Sequence, residues 1–145
     1  MKLQRSKLSA LVLVLIMTSC AAKNSTTPST PANVQMASLS KALADALSTA
    51  SKSVITLRDN GTISQKETLD VQGYILVAAN SGKQMDAQLV SASDWPTQKA
   101  AIIKIWTTAG LSTAKSQLSP TAGVILDTII NVVNQILAAV GGPAI

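Results

Sequence analysis

Histidine and phenylalanine are absent from this 145-residue chain, cysteine occurs once, at Cys20, and glutamate once, at Glu67. Without histidine no Ser-His-Asp triad can be assembled. One thiol supports neither a His/Cys zinc site nor an intrachain disulfide. Aromatic residues make up 2% of the chain, two Trp and one Tyr, so Ala, Leu, Ile and Val must pack its core. Only 13% of residues are charged against 47% hydrophobic, and the length fits about one domain. An aliphatic core of this kind suits closely packed helices.

The formal charge of +5 suggests an acidic partner such as nucleic acid until the basic residues are located. Three of the twelve, Lys2, Arg5 and Lys7, precede the apolar run that begins at Leu8. Removal of residues 1–19 leaves nine basic residues against seven acidic ones, a net charge of +2. The basicity then belongs mostly to the leader, and no nucleic-acid partner is expected.

A short basic segment, an apolar run from Leu8 to Met17 and a small-residue site make up the three parts of a secretory signal peptide. The run is too short to cross a ~30 Å hydrocarbon layer at ~1.5 Å per residue. It ends in Met17-Thr18-Ser19-Cys20. This resembles the lipobox of bacterial lipoproteins, in which an apolar residue and two small residues precede an invariant cysteine. Thr18 and Ser19 fit the small positions, whereas Met17 stands where leucine is commoner. The resemblance implies that Met17, Thr18 and Ser19 are read by the signal peptidase, that residues 1–19 are removed, and that Cys20 carries diacylglycerol and an acyl chain. Cysteine is also the one strong nucleophile available for alkylation. Two or more acyl chains, at ~0.8 kcal/mol per buried CH₂, give stable anchoring. The expected location is the cell envelope, and by the same resemblance Ala21 after the cysteine favours an outer membrane, facing the periplasm, in a host with two membranes. The alternative is a cysteine that merely ends an ordinary signal peptide or an N-terminal anchor helix.

Residues 20–35 hold the cysteine and a segment rich in Ser, Thr, Pro, Ala and Asn, with Lys23 its single charge. Such a segment has little apolar area to bury and reads as a flexible tether. The domain is expected to occupy residues 36–145.

Its predicted fold is all-α, a small antiparallel up-down bundle of about four helices. Met36, Leu39, Leu43, Ala46, Ala50, Val54 and Leu57 recur at spacings of three and four, and Asn60-Gly61 stops that helix. Ser64 to Glu67 reads as a capping box that opens a second helix through Leu69, Tyr74, Ile75, Leu76 and Ala79, continuous but weak at Asn80 to Lys83. Ser93 or Asp94, with Pro96, opens a third carrying Ile102, Ile103, Trp106, Ala109, Ala114 and Leu118, with Gly110 a soft spot. Ser119 and Pro120 open the last, which runs from Thr121 to about Val140. The similar stretches at Leu47 and Leu111 share common residues and no fixed period.

Thr56 to Glu67 resembles an EF-hand loop in length, with Gly61 sixth and Glu67 twelfth. Thr56 and Arg58 occupy the places that calcium needs filled by carboxylates, so no metal is expected. A helix stop and a capping box account for Asn60, Gly61, Ser64 and Glu67. The turn is also loosely similar to that of small helical lipoproteins of bacteria and their phages, which have no assigned activity. A peptidoglycan glycosidase would use Glu67 alone or with Asp70 or Asp59, and the capping role already accounts for Glu67. The expectation is therefore no catalytic residue, no enzyme and no cofactor beyond the covalent lipid.

In the last helix Asp127, Asn131, Asn134, Gln135 and Ala138 form one stripe, and aliphatic side chains cover the rest. Such a face fits the central helix of a bundle. The competing reading is a membrane-active protein whose last helix inserts into bilayers, disfavoured by the cost of Asp127 and three amides in hydrocarbon. Trp106 is expected in the core. Trp95 is either a staple over the bundle end or a contact for a partner. The function these features imply is a membrane-anchored, non-catalytic helical domain that binds another protein or assembles with itself.

Overall fold

The computed structural model describes residues 31–145, with side chains from Val34 onward. The expected signal peptide, with Met17, Thr18 and Ser19, the expected lipidation site Cys20 and most of the expected tether lie outside the described residues. Within them the protein is all-helical, an antiparallel bundle of four long helices and one short one. These are α1 (Pro31–Asp59), α2 (Gln65–Leu89), α3 (Trp95–Thr108), α4 (Leu111–Ser116) and α5 (Pro120–Val140).

The helix ends follow from local chemistry. α1 is helical from Pro31, the first described residue, onward. It stops at Gly61, whose φ of +68° suits a residue without Cβ, and the Thr62 N–H reaches back to the Leu57 carbonyl at 2.8 Å. Ser64 caps α2 through a complete capping box: its hydroxyl accepts from the Glu67 N–H, and the Glu67 carboxylate accepts from the Ser64 N–H at 3.0 Å. Asp94, the second of the two candidates, caps α3, and Ser119 caps α5 with Pro120 in the first turn.

The expected third helix is two. Gly110 adopts φ +69°, a left-handed conformation that breaks the helix. The break redirects the chain so that Leu111 and Ala114 of α4 are buried. The two similar stretches sit in unlike places, one inside α1 and the other forming α4.

α1 and α2 are antiparallel: the Ser40 hydroxyl donates to Asp86 Oδ1 at 2.6 Å, and Leu43 packs on Gly82. Around the bundle the order is α1, α2, α3, α5, with α1 and α3 diagonal and out of contact. α5 touches all four other helices. It buries ten residues, including Ile125, Leu126, Ile129, Val133, Ile136 and Leu137, and is the central helix. Asn131, Gln135 and Ala138 of its predicted polar stripe are exposed, and Asp127 and Asn134 are half-buried. After Gly141 the chain folds back, so that the Ile145 N–H donates to Asn134 Oδ1 at 2.9 Å.

The buried face of α2 differs from the one its large apolar residues suggest. Val71, Ile75, Ala78, Ser81, Gly82 and Met85 face the core, while Leu69 and Leu76 are exposed. Small residues let α1 approach, and a count of bulky side chains overlooks them. α2 runs unbroken through Asn80 to Lys83, because the predicted weak point is the place where it meets α1.

Candidate functional site

Glu67, the chain's one glutamate and the first of the carboxylates weighed for catalysis, lies at the N-terminus of α2, where it completes the cap. The neighbouring Ser119 hydroxyl, the Ser64 N–H and the Ser64 hydroxyl together hold its carboxyl below the usual range, since all three favour the ionised form. Ser119 also accepts from the Ala122 N–H at the start of α5, so it sits close to both the first turn of α2 and that of α5. The two candidate partners of Glu67 are engaged elsewhere: Asp70 with Lys66 at 2.7 Å and Asp59 with Arg58 at 2.7 Å.

In the EF-hand-like loop, the Thr56 hydroxyl donates to the Lys52 carbonyl, and Arg58, at the loop's third place, pairs with Asp59. Among the described residues no group of three or more His, Cys, Asp or Glu converges as metal ligands would.

Three surface features remain. A shallow groove of about 360 Å³ runs between α2 and α3, lined by Gln84, Ala87, Gln88, Lys104, Ile105 and Thr108. It is open to solvent and has no buried polar group aimed into it. On the outer side of α2, Leu69 and Leu76 stand one heptad apart at 58% and 61% exposure, with Val77 beside them and Gly73 between. The third feature is the end of the bundle where α1 begins and α2 turns into α3. Val90 there is 85% exposed, and Val34 is also exposed.

Of the sequence-predicted positions, Trp95 is half-buried and packed against the edge of the core as the first residue of α3. Trp106 is fully buried in the core as expected, and its Nε1 donates to no protein atom. The sequence reading did not single out Val34 or Val90. Their signal is an aliphatic residue in a polar end segment, which becomes meaningful only when the segments meet in space. Compared with known protein families, curated proteins and solved structures, the chain matches none.

Proposed function

We propose that the protein is an envelope lipoprotein, held to a membrane by acyl chains on Cys20, whose helical domain acts by binding a protein partner or a second copy of itself. The observation that carries this reading is the Met17-Thr18-Ser19-Cys20 sequence after a basic segment and an apolar run, with a helical domain beginning at Pro31. The mechanism is positional: a lipid anchor raises the local concentration of the domain near its membrane-associated partner. The exposed Leu69, Leu76 and Val77 on α2 give the domain an apolar surface suited to such association. In a host with two membranes the location is the periplasmic face of the outer membrane.

Mass spectrometry of the N-terminus from the native host tests it. The expected product begins at an acylated Cys20, and an intact Met1 or an unmodified Cys20 overturns the reading.

A second reading, insertion of α5 into a bilayer, has one observation in its favour: α5 is long and apolar enough to cross a membrane. Insertion would strip the bundle of its central helix and desolvate Asp127, which pairs with Lys115. Liposome leakage that disappears on deletion of residues 121–140 supports this second reading, and absence of leakage by the full chain rejects it.

A further inference from the structure

We propose that the end of the bundle formed by the start of α1 and the α2–α3 turn rests on a zwitterionic phospholipid surface, with Val90 and Trp95 as its contact residues. This rests on the acyl anchor at Cys20. Ten residues separate Cys20 from Pro31, a span of at most about 35 Å. The end at which α1 begins is therefore the end held nearest the lipid.

Antiparallel packing brings the α2–α3 turn to that same end. Val34 precedes Ser40 on α1 and Val90 follows Asp86 on α2, and the Ser40–Asp86 bond fixes the two helices beside each other. Both valines thus lie beyond this contact in one direction. Val90 is the most exposed of the large apolar residues described, and Ala92 and Pro96 beside it are exposed too. Trp95 opens α3 at this turn, and an indole that is half apolar contact and half polar edge suits the water–lipid boundary.

The charges are distributed accordingly. Of the four ion pairs among the described residues, Arg58–Asp59, Lys66–Asp70 and Lys115–Asp127 belong to the opposite end, and Lys41–Asp45 lies on α1 just past Ser40, where its two charges compensate each other. Between Lys83 and Lys99 the chain has no basic residue and two acids, Asp86 and Asp94. Asp94 is occupied in capping α3, where it accepts from the Thr97 N–H at 2.8 Å. The Val90–Pro96 turn itself carries no cation, Lys41 is paired with Asp45 and Lys99 lies a turn further into α3, so the turn has little to gain from anionic headgroups. Its contact is apolar and interfacial, and insensitive to salt.

The test uses the full acylated chain on phosphatidylcholine vesicles whose acyl chains carry bromine near the headgroup. Flotation reports anchoring and tryptophan quenching reports contact. Trp95 is expected to be quenched, equally at low and high salt. The Trp95→Phe variant, which retains only the buried Trp106, should lose that quenching. Val90→Asp should still float but lose most of it. A chain that floats with Trp95 unquenched, or with quenching untouched by Val90→Asp, overturns this proposal and leaves the anchor standing. A chain that fails to float overturns both.

Discussion

A Cβ placed on Gly82 would lie 2.9 Å from Leu43 Cδ2, so α1 and α2 are in contact at a position where any side chain on α2 obliges Leu43 to shift. Gly73, nine residues earlier on the same helix, has nothing within 4 Å of the corresponding point. These two glycines, alike in sequence, have opposite roles. Gly73→Ala is expected to stabilise the domain by up to about 1 kcal/mol, because alanine is the better helix former and meets no obstacle. Gly82→Leu is expected to cost about 1–3 kcal/mol through overpacking. Urea denaturation of the two variants checks both signs.

The helix caps make stability depend on pH. Glu67 is held below the usual carboxylate range first by Ser119 and then by Ser64, and Asp94 by the backbone N–H and the hydroxyl of Thr97. The folded state therefore binds these protons more weakly than the unfolded chain. Their stabilisation is fully present above the ordinary carboxylate values and is lost as pH falls through the depressed ones. Melting temperature should fall in this acid window, and Glu67→Gln combined with Asp94→Asn should flatten the decline. An equally steep decline in the double variant would show that other carboxylates are responsible.

Trp106 combines complete burial with an indole N–H that no protein atom accepts. Trp106→Phe removes that donor, whose lack of a partner costs about 1–3 kcal/mol, and this gain offsets part of the lost packing. Trp106→Ala removes the whole ring and is expected to cost about 3–5 kcal/mol. Equilibrium unfolding should therefore show a small loss for Phe and a large one for Ala. A Phe variant as damaged as Ala would mean that the N–H is satisfied in solution.

α5 offers a contrast within one helix. Ile129 is fully buried among the other helices, and Val124, five residues earlier, is exposed. Ile129→Ala should cost about 2–5 kcal/mol, whereas Val124→Lys should stay within about 0.5 kcal/mol. Thermal melts of the soluble domain separate these outcomes, and the reverse order would contradict a central α5.

The sequence alone determined the helical class and most of the helix ends, the break between α3 and α4 excepted. Ser64, Glu67, Asp94, Ser119, Pro120 and Gly61 act within about four residues of themselves, so their effects are legible in a linear string. The aliphatic run of α5 likewise announced a central helix, since no other segment could bury so much apolar area. Tertiary structure decided the rest. Whether Leu69 and Leu76 or Ser81 and Gly82 face inward depended on how closely α1 could approach, a property of two helices and not of one. The break at Gly110 depended on where Leu111 could be buried. Val34 and Val90 are 56 residues apart in the chain, and only antiparallel packing puts them at one end of the bundle.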